Sequence, residues 1–399
     1  MLRFRYLLYM TLVLLVGCST TGVHRNVEDG VLAQKAMVEI PEHQLLDVWI
    51  ELFSPGELPE DEEDARGLSM EIRNAEARYL PVLLRDTMEK TGYWGAVRVV
   101  PQGTEGAEVL VSGTIVASDG ERLELEISAR DASGREWFNN SYEAEAVLQA
   151  YLDVETTDRE VFQALFNAIA NDLATYRASM TEDELLAVRR IAGLRFAADL
   201  APDVFTAYLQ QDSDGRYSIL RLPAQDDPML RRVNAIRERD FLLIDTLNGH
   251  FDNFYREMQL PYQQWRKTRS EEMASLREIQ REARNRKLVG AAAILGAIAI
   301  EALGGSNTRA ATGSLRNLMV VGGAYAIKSG FDKDSETSIH SDAIEELGDS
   351  FSSETQPLVV NVEGETHKLT GSAEVQYGKW RDLLKQIYAS ETGLPGQVN

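Results

Sequence analysis

The chain holds one cysteine, Cys18, and five histidines, His24, His43, His250, His340 and His367. A lone thiol excludes an internal disulfide. The histidines are scattered, without a His-Glu-x-x-His pair or a Cys/His cluster at zinc-ligand spacing. There is no Walker loop and no dinucleotide fingerprint after a strand, and no Gly-x-Ser-x-Gly elbow. His250 falls on the apolar side of a helical pattern, where a packed histidine is expected rather than a base. Aspartate and glutamate total 63, yet no pair of them stands out as a general acid and base. The residues therefore predict no catalytic group, no metal ligands and no bound cofactor. What remains is the chemistry of Cys18.

Its surroundings are specific. Met1-Leu2-Arg3-Phe4-Arg5 precedes an apolar run from Tyr6 to Val16, the layout of a signal peptide. That run is short of the roughly 20 residues a membrane span needs. Leu15-Val16-Gly17-Cys18 resembles the lipobox of bacterial lipoproteins. The resemblance implies cleavage between Gly17 and Cys18, a diacylglycerol on the thiol and an acyl chain, such as palmitate, on the new amino terminus. More than one acyl chain gives stable anchoring. Ser19, where an aspartate would favour retention, implies delivery to the outer membrane, facing the periplasm. A plain membrane anchor with an incidental Cys18 stands as the alternative. The covalent lipid is the only non-protein group expected.

A chain of 399 residues, 44% hydrophobic, can bury a sizeable core. Its formal net charge of −22 argues against nucleic acid as a partner, which wants a basic footprint. The expected fold class is α+β, a small helix-on-sheet domain followed by a mainly helical one. The expected divisions are a signal peptide over 1–17, a lipidated polar tether over 18–33, an α/β docking domain over 34–150 and a helical domain over 151–287. A Gly/Ala-rich hairpin over 288–330 and a carboxy-terminal β-hairpin and helix over 331–399 complete the chain.

Within the first domain, Leu45–Phe53 reads as a strand and Met70–Thr91 as a helix that is kinked or begins anew at Pro81 and is ended by Gly92. Strands follow at 96–100, 108–117, 122–131 and 137–145. Asp119-Gly120 and Ser133-Gly134 supply the turns between alternating runs. One helix is expected to cover this sheet. Beyond it, helices are read at 160–178 and 181–197, the second opened by the capping box Thr181-Glu182-Asp183-Glu184. A long amphipathic helix spans 228–258, Pro261 interrupts, and a charged helix resumes to Lys287.

Tyr93-Trp94-Gly95-Ala96-Val97-Arg98-Val99-Val100-Pro101, followed by Ala107-Glu108-Val109-Leu110-Val111-Ser112-Gly113-Thr114-Ile115, resembles the anticodon-binding-like modules of TolB and of CsgG-type lipoproteins. Glu108 departs from their usual aspartate. The resemblance covers about a quarter of the chain and implies docking to other envelope proteins. It transfers no active-site residue.

Leu288–Leu303 is rich in glycine and alanine, including Gly290 and Gly296. A turn at Gly304-Gly305-Ser306-Asn307 leads to Leu315–Ile327 with Gly322 and Gly323. Small residues at four-residue spacing let helices approach closely. A packed hairpin in the core, a contact between copies of the chain and insertion into a membrane all stand open. Leu358–Val362 and Thr366–Thr370 form a short hairpin, and Ala373–Ser390 a closing helix in which Trp380 is expected to be a core anchor. These features predict an envelope lipoprotein serving as a structural or accessory part of an outer-membrane assembly or transport complex. Its partners would be other envelope proteins and, with them, a homo-oligomer. A periplasmic hydrolase of cell wall or polysaccharide and a membrane-inserting pore component are the alternatives.

Overall fold

The computed structural model describes residues 22–60, 68–146, 150–151, 160–224, 226–302, 346, 358–362 and 365–392. The fold mixes α and β elements around a six-stranded sheet. Its strands are β1 (His24–Asn26), β2 (Val48–Glu51), β3 (Val97–Val100), β4 (Val109–Ser118), β5 (Arg122–Asp131) and β6 (Glu136–Glu145), in the order β1-β6-β5-β4-β2-β3. β2 runs parallel to both neighbours, while β4, β5 and β6 form an antiparallel meander. The turns have clear local causes. Asp119 accepts from the amides of Glu121 and Arg122 at 2.8 and 2.7 Å, and Gly120 takes φ +94°. Asp131 accepts from the Ser133 amide, and Gly134 takes φ +83°.

Helix α1 (Met70–Glu89) connects β2 to β3. Ser69 caps it by accepting from the Ile72 amide, and Gly92 at φ +75° follows its end. Pro81 neither ends nor restarts this helix. A proline cannot donate to the carbonyl four residues back, that of Ala77. That carbonyl instead accepts from the Phe53 amide at 2.9 Å, just past the end of β2. The bond lost inside the helix becomes a tie to the sheet. Phe53 in turn lies over Gly113 of β4, where a Cβ would stand 2.5 Å from its ring. This glycine makes room for an aromatic side chain.

The remaining elements are α2 (Gln163–Ala178), α3 (Glu182–Leu200), the short turn α4 (Pro202–Phe205), β7 (Leu209–Gln211), β8 (Tyr217–Ile219), α5 (Pro228–Ala302), β9 (Leu358–Val362), β10 (Glu365–Leu369) and α6 (Ala373–Thr392). Both faces of the sheet are covered, not one. Val48, Trp49 and Ile50 are consecutive and all at most 1% exposed, as expected of a strand buried on both sides. Val48 and Ile50 share a core with Leu80, Leu84, Leu165 and Phe166 of α1 and α2. Trp49, Val99 and Leu110 belong to a second core with Leu194, Ile244, Leu247 and Leu384 of α3, α5 and α6. The apolar interior thus continues past residue 150.

Two further expectations are corrected. Residues 24–26, read as part of a polar tether, form β1 and pair in parallel with Ser141–Glu143. Asp212 to Gly215 forms a β-hairpin turn joining β7 and β8, with Asp212 accepting from the Arg216 amide at 2.8 Å. Pro261 does not interrupt its helix: α5 is one helix of 75 residues that continues through the charged stretch into the first Gly/Ala segment.

Candidate functional site

Gly17 and Cys18 lie outside the described residues, so the lipid site is approached from its carboxy-terminal side. The folded body is already organised at Gly22, where an added Cβ would stand 2.3 Å from the Asn139 carbonyl oxygen. Val23 donates to the Asn140 side chain, its carbonyl accepts from Ser141, and Val27 donates to the Glu143 carbonyl. Beyond β1 the chain runs as a strap along α2. Asn167 donates to the Val31 carbonyl at 2.8 Å, and Asn171 donates to the Leu32 carbonyl and accepts from the Gln34 amide. The Ala36 amide donates to the Thr91 carbonyl, and Arg177 and Arg189 donate to the carbonyls of Gln44 and Glu42. Every one of these ties uses the strap's backbone.

Three polar constellations occupy the body. The first lies between α1, the β4–β5 turn, α5 and Glu160, which precedes α2. Glu76, fully buried, accepts from Ser118 at 2.5 Å and Tyr262 at 2.7 Å, with Arg73 3.8 Å away. Burial pushes its carboxyl above the usual range, against the pull of Arg73 and those two hydroxyls. Arg266, also fully buried, donates to both Glu160 oxygens at 2.6 and 2.9 Å and lies over the Tyr262 ring. Burial disfavours its charge, but Glu160 outweighs that and holds the guanidinium ionised. With Glu76, Ser118, Tyr262 and Arg266 all at most 2% exposed, the geometry fits a latch joining α5 to the sheet rather than a site open to substrate.

The second constellation seals the β3 edge. Asn248 on α5 accepts from the Val99 amide at 2.8 Å and donates to the Val99 carbonyl at 2.9 Å, so one side-chain amide stands in for a further strand. It also donates to the Ile244 carbonyl, while Arg85 donates to its oxygen at 3.4 Å. The third pins α6. Fully buried Asp240 accepts from Trp380 at 3.1 Å, from Arg381 at 3.3 Å and from Tyr377 at 3.4 Å. Arg381 also pairs with Asp199. Trp380, 4% exposed, is an anchor in this core. An open cleft of about 280 Å³ beside it is lined by Gln102, Gly103, Asp199, Arg381 and Lys385. A second, of about 390 Å³, lies against Asn26–Asp29, Glu143 and Glu145.

Of the site residues expected from the sequence, only Gly290 and Gly296 lie among the described residues. Gly290 and Gly296 lie on the last turns of α5, while Gly322, Gly323, His340 and the hairpin's second limb lie outside the described residues. His24 contacts Glu143 at 3.0 Å and His43 contacts Glu182 at 3.1 Å. His250 is half-buried, and burial lowers its pKa. Among the described residues no three His, Cys, Asp or Glu side chains are placed to hold a metal ion. No helix among them is long and apolar enough to cross a membrane.

The buried polar groups escaped the sequence reading because a charge in a helical pattern normally marks the solvent face. Their signal was positional: Arg73 and Glu76 alternate with Ile72, Ala75 and Tyr79, and Asn248 sits between Leu247 and Phe251. No family model matches the chain, and neither does any curated protein or solved structure.

Proposed function

We propose that this chain is a bacterial envelope lipoprotein, acylated on Cys18 and held at the periplasmic face of the outer membrane. There it serves as a structural or accessory component of an assembly or transport complex. The observation that carries the reading is Leu15-Val16-Gly17-Cys18 after a short apolar run behind Arg3 and Arg5, with Cys18 the sole thiol. Ser19 supports the outer membrane as destination.

The role rests on protein–protein contact. The polar constellations of the body are spent on holding α5 and α6 to the sheet. The α5 backbone continues helically about 30 residues beyond Ser270, the last fully buried side chain described on it, into the Gly/Ala segment. Such an extension is the means by which a compact anchored body would reach other envelope proteins or further copies of itself. The segment around β3 and β4 that resembles TolB and CsgG-type modules supports the same reading.

The test is the intact mass of the amino-terminal peptide from membrane-extracted protein, with cross-linking in cells and native mass afterwards. The reading expects a peptide beginning at Cys18 with diacylglyceryl and acyl additions, loss of membrane attachment in Cys18→Ser, and a defined oligomer or recurrent partner. An unmodified thiol on Cys18, or a strictly monomeric protein with no cross-linked partner, overturns it.

A further inference from the structure

We infer that the strap following β1 is a membrane-docking surface, whose apolar side chains enter the lipid leaflet that carries the Cys18 acyl chains. The inference rests on the lipoprotein reading and adds to it an orientation. Leu32, Met37 and Val38 are 73%, 95% and 79% exposed, the three most exposed large apolar side chains among the described residues. Single exposed apolar residues are ordinary on protein surfaces. Three within seven positions of one segment are not.

The way the strap is held explains their outward aim. Apart from the His43–Glu182 contact, its ties to α2, to Thr91 just past α1 and to α3 run through the strap's backbone amides and carbonyls, from Val31 to Gln44. The side chains take no part in those bonds. In water this arrangement leaves apolar area unused; against a leaflet the same area is removed from water. Lys35 lies between Leu32 and Met37, and exposed Lys90 ends α1 beside the Thr91 carbonyl that ties Ala36. Both lysines are exposed and adjoin the apolar positions along the chain or through the Ala36–Thr91 bond, as exposed Glu39 also does, and a cation there suits lipid phosphates.

Chain length chooses the occupant. Three residues lie between Cys18 and Gly22, already fixed against β6, and the four steps of a fully extended chain cover at most about 14 Å. Val23, in the first described residues, is itself 54% exposed. Arg25 of β1 pairs with Asp172, the neighbour of the Asn171 that holds Leu32 and Gln34. The acyl chains therefore enter the bilayer close to the start of β1, which Asp172 and Asn171 of α2 link to the beginning of the strap.

The experiment uses the lipidated full chain in vesicles of phosphatidylethanolamine and phosphatidylglycerol. Because Cys18 is consumed by its lipid, Met37→Cys and Leu32→Cys each carry the only free thiol and accept an environment-sensitive fluorophore. Leu242→Cys, on α5 over the opposite face of the sheet and 67% exposed, is the control. The expected result is quenching at 37 and 32 by spin-labelled lipid at least three-fold stronger than at 242, with the reverse order for aqueous iodide. Equal iodide access at all three positions overturns the inference. So does protection that appears in native envelopes but not in protein-free vesicles, which would mean a protein partner covers the strap. The mass of the amino-terminal peptide separates the two levels. With no lipid on Cys18, both readings fall; with lipid present and position 37 wet, only the docking surface does.

Discussion

Replacing Asn248 by alanine should remove about 4 kcal/mol of stability, and the number can be worked from one strand edge. Val99 is fully buried, and its amide and carbonyl find their partner in the Asn248 side chain at 2.8 and 2.9 Å. Each buried backbone group left without a partner costs about 1–3 kcal/mol, so two cost about 2–6 kcal/mol together. For a folded body of a few hundred residues, each kcal/mol moves Tm by about 2–4 °C. The expected fall is roughly 10 °C by calorimetry. Hydrogen exchange localises the cause. The Val99 amide should lose protection in Asn248→Ala but keep much of it in Asn248→Asp, which retains an oxygen to accept from that amide. A loss under 1 kcal/mol, or unchanged exchange at Val99 in the alanine variant, would refute the claim that this side chain replaces a strand.

Three other outcomes follow from the packing. Glu160→Leu, which strands the fully buried Arg266 charge, should cost about 3–5 kcal/mol, and adding Arg266→Met should recover most of it; additive losses in urea melts would show that the pair is not a unit. Gly113→Ala puts a methyl 2.5 Å from the Phe53 ring and should cost about 1–3 kcal/mol by overpacking, with Phe53→Leu in the same chain relieving part; a neutral Gly113→Ala contradicts the close approach. Bonds from the Thr181 amide, then Arg135 and the Thr181 hydroxyl, lower the Glu184 pKa from 4.5 to about 2. A depressed carboxyl contributes stability that is complete above 4.5 and lost as pH falls through about 2. Glu184→Gln should therefore be less stable than the parent at pH 6 and equal to it near pH 2, and a gap independent of pH would sink the assignment.

What could be read from the residues was local. Asp119-Gly120, Ser133-Gly134 and the Thr181–Glu184 box each carry their geometry within four positions, and each structure forms where those residues stand. The alternation of Leu123, Leu125, Ile127 and Ala129 likewise appears as the buried side of β5. What could not be read depended on distant partners. His24–Asn26 is polar and three residues long, and becomes a strand only because Ser141, 117 positions on, offers an edge. Pro81 reads as a kink or a new start because the Phe53 amide that takes up the Ala77 carbonyl is invisible in the helix's own sequence. Arg73, Glu76 and Arg266 are buried charges on helices, and nothing in those helices' own sequence names the distant partners that surround them.

The two ends of the sheet bear on how this molecule avoids its own kind. An open strand edge is a template onto which another chain can add, in ordered pairing or in aggregation. At β3, α5 lies across that template and Asn248 occupies the Val99 groups an incoming strand would need. At the other end, β1 offers only three residues, with His24 and Arg25 engaged by Glu143 and Asp172. If the proposed lipid anchor confines the molecule to a surface, it meets its copies often there, and unguarded edges would zip neighbours into fibres. With both edges guarded, copies are left to recognise one another through helices, and self-association becomes a matter of side-chain fit instead of backbone contagion.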